Sequence, residues 1–324
     1  MNIHLKYAEF LLRKKLVHSV HIWNFCETKE DEKFLLKYLE SIENDETLVF
    51  EYFEIPAMST NLKTMAGARE SGHLWKAYYE HYSNSAEYDD EDILIKADDD
   101  IVFVDVDKFD DFLANIQTAH VYFPNIVNND AGLYVQGSRK AHQNATDCLE
   151  EFAREEADFK YNVNHYYVDD IQASYEMSMK KVYPLSGSWN DAWIMQGSLA
   201  DGLHEGFLEN PQQFIAACAN VSYPRMVSVK QRISFNMFAG KMAMIKKLFG
   251  TFLEYQCCDF EGYLGKWPSL THLDHLIDSH FTVVHYAFNM QFGTDTKDLN
   301  RFVSQYEALA PSTTTTEKEE DRRE

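Results

Sequence analysis

The sequence predicts an α/β fold, with a mostly parallel sheet flanked by helices in a single large domain. Three observations predict it. Strand-like apolar runs alternate with amphipathic helical stretches over the first 127 residues. Those runs are short and rich in Val, Ile, Phe and Tyr, the composition of buried strands. The 324 residues are 45% hydrophobic and 14% aromatic, enough for a sizeable core and contrary to disorder.

Residues 4–16 place Leu5, Ala8, Leu11, Leu12 and Leu16 near helical spacing. Residues 17–25 read as a strand. Residues 28–42 form an amphipathic helix, with Thr28 as its cap and acids in its first turn. A strand over 48–55 ends at Pro56. A helix near 70–83 carries Leu74, Trp75, Tyr78, Tyr79 and Tyr82. A strand leading into the Asp triplet, a helix over 107–118 and a strand over 119–127 follow. Beyond this the pattern loosens. Residues 136–160 read as a polar helix, 185–209 as a Trp-rich segment with Gly-containing turns, and 211–219 as a short helix after Pro211. Residues 225–250 mix a strand-like start with a Met- and Lys-rich helix, and 281–288 are a strong strand. The domain is expected to span 1–310, with 311–324 as a disordered polar tail.

The most informative stretch is 92–105. Ile93, Leu94 and Ile95 lead into Asp98, Asp99 and Asp100, and Ile101, Val102, Phe103 and Val104 follow at once. Most acidic triplets are solvated turns among polar residues, whereas this one is clamped between strand-like apolar runs. Three like charges repel unless something cationic sits among them. Carboxylates suit hard ions such as Mg²⁺ or Mn²⁺, usually shared with phosphate groups. In open α/β sheets ligands bind beyond the carboxyl ends of strands, which is where this triplet falls.

Charge limits the partners. Lys and Arg total 30 against 52 Asp and Glu, a formal net charge of −22. That opposes binding to nucleic acid or to anionic membranes, but not to a single nucleotide-sugar whose charge a metal can bridge. The five Cys lack zinc-site spacing and are too scattered for a disulfide framework. There is no run of 18 apolar residues, so no membrane insertion is expected. The first ten residues lack the apolar core of a signal peptide, and a cytoplasmic location is expected.

Several segments in series resemble a GT-A-type glycosyltransferase-like family known from fungi, bacteria and some large DNA viruses. They are Val20-His21-Ile22-Trp23-Asn24, Ile95-Lys96-Ala97-Asp98-Asp99-Asp100-Ile101-Val102, Pro124-Asn125-Ile126-Val127-Asn128-Asn129, His204-Glu205-Gly206-Phe207-Leu208, Arg232-Ile233-Ser234-Phe235-Asn236, Asp259-Phe260-Glu261 with Leu264 and Pro268, and His285-Tyr286-Ala287-Phe288 with Gln291. The resemblance extends over most of residues 4–292. Proteins of this type begin with a strand and loop that touch the nucleotide base, and this chain starts at what reads as the following helix.

The resemblance implies a GT-A-like (Rossmann-like) sheet and a metal-dependent glycosyltransferase. Such an enzyme moves a sugar from a nucleotide-sugar, of the UDP-sugar kind, to a glycan or glycoconjugate acceptor. It implies Mn²⁺ or Mg²⁺ on Asp100, Asp98 on ribose or metal, and His285 as a third ligand, with neutral imidazole the binding form. Lys96 either approaches phosphate or sugar or offsets the acidic cluster. Trp23 and Asn24 are candidates for base or ribose, and Asn125 and Asn128 for sugar hydroxyls. An inverting transferase needs a carboxylate base. Asp259 and Glu261 are the candidates, with acceptor binding or a solvated loop as their alternatives. Two competing functions stay open: a catalytically inactive GT-A-like protein that binds a glycan or a partner, and a metal-dependent phosphoesterase.

Overall fold

The computed structural model describes residues 2–26, 28–54, 76–128, 135, 136, 139–141, 143, 146, 197–229, 236–255, 264, 275–286 and 299–312. The chain opens with helix α1 (Asn2–Arg13), strand β1 (Val20–Trp23), helix α2 (Lys29–Ile42) and strand β2 (Phe50–Phe53). The Thr28 side chain accepts from the Asp31 N–H, so the expected cap is present. β1 and β2 pair in parallel across α2, as a strand–helix–strand crossover requires.

Helix α3 (Lys76–Asn84) leads to β3 (Ile93–Ala97) and β4 (Ile101–Val104). A short 3-10 turn (Val106–Lys108) runs into α4 (Phe109–Ala114), and β5 (Tyr122–Val127) follows. The second half gives α5 (Gly197–Glu209), α6 (Pro211–Cys218), β6 (Met226–Val229), β7 (Met237–Lys241) and α7 (Met242–Tyr255). It ends with β8 (His275–His285) and α8 (Val303–Leu309). Residues 197–209, read in sequence as Gly-containing turns, are a helix. Ala200, Leu203 and Phe207 recur on its buried side and override the helix cost of Gly202 and Gly206.

The sheet corrects the expected strand directions in part. Among the described residues it has six strands in the order β3-β7-β5-β8-β4, with β6 also on β8. β5 and β8 are parallel, while β3–β7, β5–β7, β4–β8 and β6–β8 are antiparallel, so this sheet is mixed rather than mostly parallel.

Helices cover both faces. Tyr122, Ile126 and Val283 pack with Tyr7 and Leu11 of α1, Phe207 of α5, Phe214 of α6 and Tyr306 of α8. Phe123, Phe238 and Ile277 point the other way and pack with Tyr79 of α3 and Ile245, Leu248 and Phe249 of α7. Neighbours such as Tyr122 and Phe123 fall in opposite layers because the strand period is two. Each such ring contributes about 1.5–3 kcal/mol on burial. No described helix is long and apolar enough to cross a membrane. Residues 313–324 of the expected tail lie outside the described residues.

The strand directions gather one set of ends. The carboxyl ends of β3, β5 and β8 and the starts of β4 and β7 all lie at the same end of the sheet. β3 and β4 are the two outermost strands in the order, yet only Asp98, Asp99 and Asp100 join them. A flat sheet would need about 19 Å there, at about 4.8 Å per strand step. Three linking residues reach about 14 Å at most. The sheet is therefore curled, and β5 meets β7 at a single pair, Tyr122 and Ala239.

Candidate functional site

Backbone bonds hold the acidic turn on both sides. β3 stays in register with β7 through Ala97 and Met237, and the Asp98 N–H then donates to Asn236 O at 2.8 Å. The Ile101 N–H returns to Asp98 O at 3.4 Å. Beyond the turn, Ile101 pairs with His285, and the Tyr286 N–H donates to Asp100 O at 2.9 Å. The apolar flanks seen in the sequence thus anchor the turn in two different strand pairs. Asp99 is the exposed tip.

At the far side of the turn a side-chain contact joins Asp100 to His285. His285 Nε2 lies 2.9 Å from Asp100 Oδ2, and Nδ1 faces the Asn128 carbonyl at 3.4 Å. Both partners are acceptors, so both ring nitrogens must donate, which makes the ring an imidazolium. Burial works against that charge, but the charge and hydrogen bond of Asp100 carry His285 above the usual histidine value. Burial likewise works to raise the Asp100 carboxyl, yet His285 holds it below the usual carboxylate range. His285 is 2% exposed, and the second Asp100 oxygen, Oδ1, is buried with no hydrogen-bond partner among the described residues.

Asp98 is turned to Lys96, whose ammonium pairs with its Oδ1. Burial raises the Asp98 carboxyl above the usual range and the Asp100 charge adds to this, while Lys96 opposes it. The side chain keeps 37% exposure, and that solvent moderates the effect.

The other expected residues fall in three places. Asn128, with φ 60° just past β5, orients His285 through its carbonyl, and its amide donates to Tyr286 O at 3.2 Å. Asn tolerates this left-handed turn better than most residues. Asn125 sits inside the sheet rather than at the corner. It is fully buried, accepting from Gln136 Nε2 at 3.0 Å and reaching Thr282 Oγ1 at 3.4 Å. Trp23 closes β1 in an aromatic stack, 4.6 Å from Phe53 at 8° and edge-on to Tyr78 at 5.4 Å. The Asn24 amide donates to Glu32 and Tyr52 at 2.9 and 2.7 Å, and its oxygen accepts from the Cys26 N–H at 3.1 Å. Asp259 and Glu261 lie outside the described residues.

Sequence reasoning missed three neighbours. Tyr78 meets Trp23 edge-on, and burial drives its hydroxyl well above the usual tyrosine range, with the Asp98 charge adding to this. Cys26, just after β1, feels Asp99. His4 of α1 bonds the Ile101 carbonyl and lies in the field of Asp99 and Asp100, and burial pushes its imidazole down to about 4. A lone histidine in an amphipathic helix carries no signal that could have found it.

Behind the corner, His204 is wedged between elements. Its Nε2 donates to Tyr286 O at 2.6 Å, and its Nδ1 accepts from the Tyr306 hydroxyl at 2.7 Å. Burial lowers it from 6.5 to about 4. The folded chain therefore resists a proton that the unfolded chain takes. Stability from this site is full above about pH 6.5 and is lost as pH falls toward 4, by about 3 kcal/mol. Urea unfolding at pH 7 and pH 4.5 should show wild type losing more stability on acidification than His204→Gln. Equal losses would refute the assignment.

Among the described residues, no three His, Cys, Asp or Glu side chains are already gathered to hold a metal ion. Asp100 and His285 converge, while Asp98 is drawn off by Lys96. The donor set nevertheless fits a divalent cation. A carboxylate and an imidazole nitrogen at 2.9 Å need positive charge between them, either a proton or a metal. The other imidazole nitrogen faces a backbone carbonyl, as in metal-ligating histidines.

Fold and corner together define a mixed α/β chain with an aspartate–histidine pair at the gathered strand ends. Compared with protein-family models, with characterised proteins and with solved structures, the chain finds no match.

Proposed function

We propose that the chain is a metal-dependent glycosyltransferase that moves a sugar from a UDP-sugar to a glycan or glycoconjugate. The observation that carries the reading is Asp100 at the strand ends, with one oxygen on His285 and the other buried without a partner among the described residues. Asp100 and His285 would hold Mn²⁺ or Mg²⁺, joined by Asp98 once Lys96 releases it. When bound, the ion neutralises charge that grows on the diphosphate leaving group.

The remaining steps belong to side chains. Asn128 fixes the ring of His285 so that Nε2 faces Asp100. Lys96, freed from Asp98, is within its own side chain's reach of a phosphate oxygen. The Trp23–Tyr78 stack, beside Asp98, offers an aromatic wall to a nucleotide base, with Asn24 at its edge. Asp259 or Glu261 takes the acceptor hydroxyl's proton in an inverting transfer. The test is a UDP-sugar panel with Mn²⁺, read by calorimetry and by donor hydrolysis. Saturable binding with UDP release is expected, and the absence of both overturns the reading.

One observation favours a second reading, a catalytically inactive protein that binds a glycan or a partner. Lys96 and His285 already neutralise Asp98 and Asp100 from within the chain. This reading predicts glycan or partner binding that neither Mn²⁺ nor UDP alters.

A further inference from the structure

A basic locus lies on the same strand as His285 but away from it. His280 precedes His285 by five residues, at most about 17 Å along an extended strand. Here β8 bulges: Asp278 pairs with Pro124 and Thr282 with Asn125, leaving Ser279, His280 and Phe281 as extra residues opposite β5. The bulge carries Ser279 to the start of β6, where its N–H and hydroxyl donate to Arg225 O at 2.9 and 2.8 Å. Arg139 reaches the same backbone, donating from Nη2 to Pro224 O at 2.8 Å with its guanidinium over the Tyr223 ring at 5.4 Å.

Arg139 is the unusual member. It is 6% exposed, yet its Nε and Nη1 have no hydrogen-bond partner among the described residues. His280 Nε2 is also buried without a partner among the described residues. Arg225 is committed to Asp278 and to the Asp111 carbonyl. Arg225, Arg139 and Lys108 all act on His280, which burial and these cations keep below the usual histidine value. Among the described residues Arg225 pairs with Asp278 and Lys108 with Asp111, while Arg139 has no carboxylate within ion-pair distance. Native proteins rarely leave buried donors of this kind unmet, and least of all charged ones.

We propose that this locus binds a small oxyanion of the phosphate class through Arg139, with His280 beside it. The Nε–H and Nη1–H leave different edges of the guanidinium, so the ion meets one of those edges, where an oxyanion of higher charge than a carboxylate is favoured. The site is separate from the Asp100 corner and does not depend on its function.

The test uses the full chain and inorganic phosphate at constant ionic strength, read by calorimetry and thermal midpoint, with sulfate and acetate as parallel arms. Wild type should bind phosphate saturably, and sulfate should compete. Acetate should bind at least about tenfold more weakly, since it carries less charge. Arg139→Met should weaken phosphate binding at least about tenfold and remove the rise in thermal midpoint that phosphate gives wild type. His280→Gln should weaken it less. The proposal is overturned by no phosphate binding, by acetate binding equally, or by undiminished binding in Arg139→Met.

Discussion

Asp100→Asn is expected to lower the rate of sugar transfer about 10³-fold, equivalent to about 4 kcal/mol of transition-state stabilisation. The amide keeps the size of the side chain but carries no negative charge to hold a cation or an imidazolium at His285 Nε2, 2.9 Å away. The backbone bond from the Tyr286 N–H to the residue-100 carbonyl does not involve the side chain, so the turn should keep its shape. Mn²⁺ titration and initial rates on the same preparation separate loss of metal from loss of fold. Activity within a few-fold of wild type would remove Asp100 from the chemistry and favour the binding-only reading.

The largest expected effect on stability lies elsewhere. Asp278 is wholly buried in β8, and Arg225 grips both its oxygens, from Nε at 3.0 Å each and from Nη2 at 2.7 Å. Among the described residues, Arg225→Met would leave that carboxylate with only the His280 N–H, at 3.0 Å. An uncompensated buried charge costs about 3–5 kcal/mol, against a total domain stability of about 5–15 kcal/mol. Urea unfolding should show a loss of this size. The double variant Arg225→Met/Asp278→Leu should recover most of it, because the pair as a whole is close to neutral against apolar replacement. A single-variant cost under about 1 kcal/mol would mean that water reaches Asp278.

Local features of this fold were legible in the sequence, and long-range ones were not. The Thr28 cap depends on residues three apart, and the strands bracketing the aspartates depend on an apolar run of a few residues. Both are set by nearest neighbours, and both appear where the pattern puts them. Strand direction depends on how crossovers return, which composition does not encode, so the antiparallel β3–β7 and β4–β8 pairs went unforeseen. The meeting of Asp100 with His285, 185 residues apart, could be read only through a family pattern. Arg225 and Asp278 are 53 apart with no pattern to join them. Asn125 and Asn24 show the reverse error. Asparagines at strand ends look available for a ligand, but whether an amide is spent internally depends on Gln136, Glu32 and Tyr52, residues from other elements.

The curl of the sheet gives the aspartate triplet a duty that any three residues of that reach would share. It is the clasp between the outermost strands, and its length is dictated by the gap it closes. Side chains there can be exchanged one for one, but adding or deleting a residue would shift Ile101 off His285 and turn β4 over, core face outward. Spacing at this point is thus a property of the architecture before it is a property of any chemistry.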